Sequence, residues 1–239
     1  VGIVGGVLVQ ASNNVEDTDW MLQNAERVEW LKGVVGWLPL QDPSLTNKLL
    51  VDTYLKNPYY KGIRHLIHDE ADPTWLLQES VIESLKLVAA HNLTFDVVGV
   101  LPQHIETAIK VSKLVPNLKM VFDHLNQPPI ATNEQFGLWG EWIKLAAQKP
   151  QFYAKLSGLG TTTNKGTNWS ANDIRPYFKF ILTHFGADRI MCGGDWPVSL
   201  LAGSYTQSWL NYRMLITEEL NEADQEKVFN SNAKQFYKL

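Results

Sequence analysis

The chain has a single cysteine, Cys192, among its 239 residues. One thiol cannot form an internal disulfide, so a fold without cross-links and a cytoplasmic location are the default expectations. No run of Lys or Arg exceeds two residues, and the formal net charge is −4. This pattern predicts no nucleic-acid partner. No apolar stretch reaches the roughly 18 residues that a membrane span needs, so no membrane partner is expected either.

Several catalytic signatures are missing as well. The sequence contains no Gly-x-Ser-x-Gly elbow and no phosphate-binding loop, and no histidine lies close to Cys192. Nucleophilic serine or cysteine catalysis is therefore poorly supported. The first apolar run is followed by the residues Gln-Ala-Ser-Asn-Asn at 10–14 and not by a glycine-rich turn. That excludes a dinucleotide-binding fingerprint.

What the sequence does contain is a recurring short apolar run that is rich in Val and Ile. Near-continuous hydrophobicity over the length of a strand indicates parallel strands covered on both faces. Seven runs occur, at 6–10, 33–40, 62–68, 94–100, 119–125, 152–158 and 189–195. Amphipathic helical patterns separate them, so the sequence predicts an α/β fold in one domain over residues 1–239.

The period of this pattern favours a barrel. Successive runs are roughly 25 to 37 residues apart, as in a (β/α)8 TIM barrel, with an open doubly wound sheet as the alternative. A barrel needs eight strands, and only seven are found. Because a helical pattern near 224–236 follows the seventh run, the missing unit is expected before Val1. The predicted fold is therefore a distorted TIM barrel whose first strand is missing from these residues.

Polar side chains at the carboxyl ends of the runs are the candidate site residues, because barrel enzymes build their active sites there. Charged groups at so many buried strand ends are costly unless they are paired, which favours a site. The candidates are Gln10, Ser12, Arg64, His65, His68, Asp123, His124, Lys155, Ser157, Asp195 and Trp196.

Asp195 is the strongest candidate. It follows a buried run in the segment Cys-Gly-Gly-Asp-Trp-Pro at 192–197, where small residues let a ligand approach the backbone. Its carboxylate could take a proton from water as a general base. The alternative is a cap for the following turn, since Asp is common in turns.

His124 is the next candidate, as a metal ligand or a group that polarises a carbonyl, against the alternative of a hydrogen-bonded core histidine. Strand alternation predicts that Asp123 points to the opposite face and anchors backbone or a helix. The same alternation places His65 and His68, three residues apart, on opposite faces. A paired metal site formed by these two histidines is therefore rejected.

For Arg64 and Lys155 two interpretations stay open. Arg64 could bind an oxyanion or carboxylate and Lys155 could polarise a carbonyl, or each could form a structural ion pair. Three tryptophans near the strand-end loops could line a pocket for a small polar ligand. They are Trp75, Trp169 and Trp196. Three histidines fall on helical segments and are expected to be solvated, namely His91, His104 and His184.

Six motifs along the chain together resemble the amidohydrolase-related (amidohydrolase 2) family. Within the family they look most like the branch of sugar-lactone hydrolases that are related to 2-pyrone-4,6-dicarboxylate lactonase. The motifs are Val-Leu-Val-Gln-Ala-Ser at 7–12, Val-Gly-Trp at 35–37, Lys-Gly-Ile-Arg-His at 61–65, Phe-Asp-His-Leu at 122–125, Lys-Leu-Ser-Gly-Leu at 155–159 and Gly-Asp-Trp-Pro at 194–197. The resemblance implies a distorted TIM barrel that hydrolyses a lactone ring.

The resemblance also implies roles for individual residues. Asp195 would activate water, and His124 would hold the carbonyl oxygen or a metal. Arg64 and Lys155 would line the site, and the further substrate-binding candidates are Gln10, His65 and Trp196. Metal use varies in this branch, so the resemblance leaves open whether one divalent ion, Zn or Mn, is bound by His124 and Asp195. Members of the family carry His-x-His on the first strand, and these residues contain no such motif.

The leading functional hypothesis is therefore a hydrolase of carbohydrate metabolism that opens a sugar lactone or a similar cyclic ester. A decarboxylase or an amide hydrolase on the same scaffold is the second hypothesis, because a fold does not fix its reaction. A binding or vestigial barrel without catalysis is the third, because the His-x-His motif is missing. The expected partner is a small-molecule substrate, and a homo-oligomer is left open.

Overall fold

Seven parallel strands form one sheet whose spatial order follows the chain. The structure is a computed structural model that describes residues 2–132 and 134–239. The strands are β1 Gly6–Val9, β2 Leu31–Gly36, β3 Tyr60–His65, β4 Thr94–Val97, β5 Lys119–Phe122, β6 Phe152–Leu156 and β7 Ile190–Cys192. All seven predicted strands are confirmed, as is the α/β class. Most apolar runs extend past the strand into the loop that carries the site.

Helices connect the strands and cover the sheet. Within the described residues they are α1 Val15–Arg27, α2 Pro43–Asp52, α3 Glu79–Ala90, α4 Pro102–Leu114, α5 Gly137–Ala147, α6 Leu159–Thr162, α7 Ala171–Phe185, α8 Tyr205–Glu219, α9 Glu222–Glu226 and α10 Asn232–Tyr237. Their starts follow local chemistry. Ser170 and Asp173 form a capping box at α7, and Asn221 accepts a hydrogen bond from the backbone N–H of Asp224 at α9. Each satisfies N–H groups that a helix start leaves free.

The sheet is curled, because side chains from strands that are not neighbours share one interior cluster. Val35 on β2 and Val121 on β5 belong to the same buried cluster as Met191 on β7. Phe236 and Tyr237 from α10 complete this cluster. A second and larger cluster lies between the sheet and the surrounding helices. The two layers of apolar packing match the inside and outside of a barrel.

The position of α10 is fixed by Asn232. Its amide nitrogen donates to the carbonyl oxygens of Ala187 at 2.6 Å and Ile190 at 2.7 Å, at the amino end of β7. The interior cluster is therefore filled by α10 from the end of the barrel opposite the strand-end loops.

The sheet has two edges, because β1 and β7 are not paired with each other in residues 2–132 and 134–239. All four residues of β1 are half-exposed, as expected for a strand with a neighbour on one side only. The predicted eighth strand before Val1 stays a prediction. Across the described part of the chain, no helix combines the length and apolar character needed to cross a membrane.

Candidate active site

His124 and Asp195 meet at the carboxyl ends of β5 and β7. His124 Nε2 lies 3.4 Å from Asp195 Oδ1, and both side chains are mostly buried. Burial lowers the pKa of His124 while Asp195 opposes that shift. Burial also raises the pKa of Asp195, and His124 partly offsets it. The pair therefore combines a neutral imidazole with a carboxylate that is a stronger base than usual.

The pair depends on an unusual backbone turn. After β5 the residues His124, Leu125, Asn126 and Gln127 all have positive φ, between 47° and 53°. Asp123 still follows the alternation of β5, because it faces the barrel interior as Val121 does, while Phe122 packs on the helix side. The alternation ends at His124, the first residue with positive φ. The prediction that Asp123 anchors backbone or a helix is wrong, since Asp123 forms ion pairs with Arg64 and Lys155 inside the barrel.

Two small residues after β6 complete the surroundings of the pair. Ser157 Oγ lies 2.9 Å from His124 Nδ1. Gly158 has a φ of +64°, and a Cβ at this position would lie 2.6 Å from both Asp195 Oδ2 and His124 Nδ1. Only glycine leaves the space that the two catalytic candidates occupy. In chain order the site therefore draws on the ends of β5, β6 and β7.

A buried ion network lies beneath this pair. Lys155 Nζ donates to Asp96 Oδ2 at 2.5 Å and to Asp123 Oδ1 at 2.7 Å. Arg64 Nη1 donates to Asp123 Oδ2 at 2.8 Å. Tyr237 Oη lies 2.8 Å from Asp96 Oδ2. Two cations thus balance two carboxylates inside the barrel, which is the arrangement that buried charges require.

The network shifts the protonation of its members. Burial raises the pKa of Asp96 to about 6, although Lys155 opposes the shift. Burial would also raise the pKa of Asp123, but the adjacent cations of Lys155 and Arg64 hold it below its usual range. Burial would lower the pKa of Lys155, and the two carboxylates raise it instead. At neutral pH Lys155 is charged and Asp123 is ionised.

The predicted substrate-binding residues Arg64, Lys155 and Gln10 are held within this framework. Arg64 Nη2 donates to the carbonyl oxygen of Gln10, and Gln10 Nε2 donates to the carbonyl oxygen of Arg64 at 2.9 Å. Gln10 is fully buried, while Arg64 and Lys155 each keep about a tenth of the side chain exposed. The structural ion pairs foreseen as alternatives are present. Contact of these residues with substrate stays a prediction.

His65 is fixed by its neighbours on both ring nitrogens. Trp37 Nε1 donates to His65 Nδ1 at 3.0 Å, so the imidazole proton lies on Nε2, which is 2.8 Å from Glu70 Oε1. The ring also stacks on Trp75 with centroids 4.0 Å apart. Burial lowers the pKa of His65, although the hydrogen bond to Glu70 partly offsets this shift. A role in binding substrate stays a prediction, and Glu70 is the partly exposed end of this chain of bonds.

Several sequence-based expectations are corrected by burial. Trp75 and Trp169 are core residues, since Trp75 packs on His65 and Trp169 Nε1 donates to the carbonyl oxygen of Ala202. Trp196 alone of the three predicted pocket tryptophans is exposed, at 68%. His104 is buried and not solvated, because its Nδ1 accepts hydrogen bonds at the start of α4.

The donor set around His124 and Asp195 suits part of a metal site. Two donor atoms that are each about 2.1 Å from a tetrahedral Zn²⁺ are about 3.4 Å apart. The separation of His124 Nε2 and Asp195 Oδ1 has this value. Ser157 would accept from Nδ1–H, as partners of metal-bound histidines do. Among the described residues no group of three or more His, Cys, Asp or Glu side chains could hold a metal. The pair therefore supplies two ligands.

Parallel strands in barrel order, with polar groups converging at their carboxyl ends, are the active-site arrangement of a (β/α)-barrel enzyme. The amidohydrolase family model matches residues 1–239, and the chain belongs to this family. It is 31% identical over 241 residues to an L-fucono-1,5-lactonase of Burkholderia ambifaria, covering 100% of this chain and 81% of that protein. An L-rhamnono-gamma-lactonase of Scheffersomyces stipitis is 26% identical over 200 residues, covering 75% of this chain and 59% of that protein.

The fold agrees with a solved relative. A crystal structure of an amidohydrolase from Burkholderia multivorans with bound Zn superposes with a TM-score of 0.91. It is 26% identical, and the match covers 99% of this chain and 84% of that one. The predicted family and barrel class are confirmed.

Ser157 was among the strand-end candidates, and the structure places it against His124. Three further residues around the site were not predicted: Gly158, Asp96 and Tyr237. Gly158 stands in the Lys-Leu-Ser-Gly motif, but nothing in the motif indicates how closely it approaches the His124–Asp195 pair. Asp96 lies within an apolar run and Tyr237 in a distant helix. An isolated Asp in a buried strand requires a partner, and that alone could have marked Asp96.

Proposed function

We propose that this protein is a lactone hydrolase that acts on sugar lactones, with Asp195 as the general base. The observation that carries the proposal is the His124–Asp195 pair at the strand ends. The similarity to an L-fucono-1,5-lactonase supports the substrate class. A lactone ring opens by attack of water on the carbonyl carbon, which calls for a base and for stabilisation of the oxyanion.

Asp195 has the features of this base. Oδ1 faces His124, and within residues 2–132 and 134–239 Oδ2 has no hydrogen-bond partner. Oδ2 points to the space that Gly158 leaves free. Burial raises the pKa of Asp195, which makes the carboxylate a stronger base at neutral pH. In the proposed reaction Asp195 takes the proton of the attacking water and, as a carboxylic acid, returns it to the ring oxygen when the C–O bond of the lactone breaks.

His124 is the proposed partner of the carbonyl oxygen. Burial keeps its ring neutral by lowering the pKa of His124, and Ser157 fixes the orientation of the ring through Nδ1. In this role Nδ1 accepts a hydrogen bond from the Ser157 hydroxyl, so Nε2 carries the proton and can donate to the negative carbonyl oxygen. With an ion bound the other tautomer applies, in which Nδ1–H donates to Ser157 and Nε2 is free to hold the ion. The ion network of Lys155 and Asp123 supports the backbone beneath it.

We further propose that a divalent ion, when bound, is held by His124 and Asp195. The relative from Burkholderia multivorans was crystallised with bound zinc, which supports the use of a divalent ion, and the 3.4 Å separation of the two donor atoms supports these two residues. Bound there, the ion would supply Lewis-acid polarisation of the lactone carbonyl. Ser157 would keep the His124 ring oriented toward the ion through its contact with Nδ1.

The test is an Asp195→Asn variant of the full chain, assayed on a panel of aldonolactones that includes L-fucono-1,5-lactone. We expect kcat/KM to fall by about 10²–10⁴-fold, the usual contribution of general-base catalysis. Asp188→Asn is the matched control, because Asp188 is an exposed carboxylate just before the other end of β7. Undiminished turnover by Asp195→Asn would overturn the role of Asp195. Decarboxylation of an aromatic acid by a wild-type protein that opens no lactone would overturn the proposed function.

A further inference from the structure

The left-handed turn at 124–127 is a costly conformation. Residues other than glycine are sterically disfavoured in this region, and where they occur they are normally single. Here His124, Leu125, Asn126 and Gln127 adopt it in succession. A backbone of this kind persists only where the surrounding structure holds it in place. The groups that hold this turn therefore decide where the ring of His124 lies.

Trp139, on the helix α5, holds the centre of the turn. Its indole N–H donates to the carbonyl oxygen of Leu125 at 2.8 Å, and this hydrogen bond is buried. Leu125 is fully buried and Trp139 is almost so. A buried carbonyl oxygen that loses its donor keeps the full cost of desolvation, so the turn and the indole are strongly linked. The bond fixes the peptide next to His124.

The indole itself is held by aromatic packing. Trp139 contacts the rings of Tyr177, Phe136 and Phe180 at centroid distances of 5.8, 6.4 and 5.6 Å. Tyr177 and Phe180 both lie on α7. A donor that is packed in this way has little freedom, so it restricts the position of the Leu125 carbonyl group. The second support of the turn, Asn126 Nδ2 donating to the carbonyl oxygen of Leu101, is longer at 3.3 Å.

We propose that Trp139 is a positioning residue for His124: it holds the left-handed turn through the Leu125 carbonyl and so aims the imidazole at Asp195. Trp139 touches neither reacting group. It acts on the approach of His124 Nε2 to Asp195 Oδ1, now 3.4 Å, and on the contact of Nδ1 with Ser157. The other indole of α5 does not support the turn, since among the described residues the Trp142 indole N–H has no hydrogen-bond partner.

The test compares Trp139→Phe with Trp142→Phe. Both remove an indole from α5, but only the first removes the bond to Leu125. We expect Trp139→Phe to lower kcat by about 10²-fold, the effect of a displacement of roughly 1 Å, with KM changed by less than about threefold. Trp142→Phe is expected to keep the wild-type kcat. A loss of packing alone would lower the melting temperature without this split between kcat and KM.

A second readout does not need activity. The side-chain ¹⁵N signals of His124, assigned by their loss in His124→Asn, should move in Trp139→Phe and stay in Trp142→Phe. The kinetic measurement rests on the proposed lactonase function and the NMR measurement does not. The two experiments therefore distinguish a failure of the proposed function from a failure of the positioning role. A protein that opens no lactone but shows the shifted signals loses the proposed function and keeps the positioning role.

If Trp139→Phe does not fold, the decisive variant carries 3-benzothienylalanine at position 139. This residue keeps the shape of the indole and replaces only its N–H group with sulfur. We expect the same fall in kcat and the same movement of the His124 signals. Wild-type kcat together with unmoved His124 signals in either folded variant would overturn the proposal.

Discussion

The phenol of Tyr237 lies within hydrogen-bond distance of both oxygens of the Asp96 carboxylate, 2.8 Å from Oδ2 and 3.0 Å from Oδ1. The two residues are separated by 141 positions, and both are buried in the barrel. Asp96 in turn accepts from Lys155. The helix α10 therefore reaches the charged network beneath His124 through one hydroxyl group.

This contact predicts the stability of a Tyr237→Phe variant. Because a hydrogen bond to a charged group contributes about 1.5–3 kcal/mol, its removal should lower the free energy of unfolding by about this amount. Urea denaturation at pH 7 measures the change. Tyr153→Phe is the control, since Tyr153 lies in the same interior cluster and no hydrogen bond of its phenol is found among the described residues. Equal losses in the two variants would contradict the importance of the Asp96 contact.

The strand ends could be predicted because they depend on local patterns. Apolar runs marked the strands, and polar residues after them placed His124 and Asp195 at one end of the barrel. The partners within the barrel could not be predicted in this way. That Lys155 lies between Asp96 and Asp123 depends on the tilt and register of three strands, which no single segment encodes.

A second prediction concerns Gly158. In Gly158→Ala the new Cβ would lie 2.6 Å from Asp195 Oδ2 and from His124 Nδ1, so the pair must move apart. We expect kcat to fall by about 10²-fold. Gly166→Ala is the matched control, because Gly166 has a similar φ of +52° and a Cβ there would meet nothing within 4 Å. Both variants should lose roughly 1–2 kcal/mol of stability from the left-handed backbone. Gly158→Ala should lose more in total, because its Cβ also displaces neighbouring side chains, and urea denaturation measures both losses.

The contrast between the two glycine variants separates strain from contact. If Gly166→Ala lost as much activity as Gly158→Ala, the effect would come from general destabilisation. If Gly158→Ala kept the wild-type kcat, then Gly158 would not limit the space around Asp195 and His124.

A third prediction follows from the exposed Gln127, the last residue of the left-handed turn. Glycine adopts positive φ without the steric penalty, so Gln127→Gly should leave stability unchanged or raise it by up to about 1 kcal/mol. The same substitution in an ordinary helix, Glu141→Gly in α5, should lower stability by about 1 kcal/mol. Chemical denaturation of both variants measures the difference. Similar losses would mean that residue 127 is not held in the left-handed region in solution.

The turn shows why part of the site escaped the sequence. Neither Leu125 nor Gln127 belongs to the residue types that readily adopt positive φ, so the local sequence does not predict four positive φ angles in succession. Tertiary contacts impose them, chiefly the bond from Trp139 and the burial of Leu125. The anchoring role predicted for Asp123 failed for a related reason, because its partners Arg64 and Lys155 come from other strands.

The last prediction concerns pH and His104. His104 Nδ1 accepts from the backbone N–H groups of Val100 at 3.0 Å and Leu101 at 3.2 Å, which requires an unprotonated nitrogen. Burial lowers the pKa of His104, and the nearby His68 adds to this shift. In the unfolded chain a histidine titrates near pH ~6.5. The stability is therefore fully present above this value and is lost as the pH falls from there toward the lower pKa of the folded state.

Below pH ~6.5 the unfolded chain takes up a proton that the folded chain refuses, so the free energy of unfolding falls by up to about 1.4 kcal/mol per pH unit. His104→Asn should make this fall shallower, because an Asn Oδ1 takes the place of Nδ1 as acceptor and does not titrate. Urea denaturation at pH 7.5 and 5.5 gives the two slopes. His91→Asn, at an exposed histidine, should keep the wild-type slope. A wild-type slope in His104→Asn would mean that His104 is protonated in the folded state as readily as in the unfolded chain.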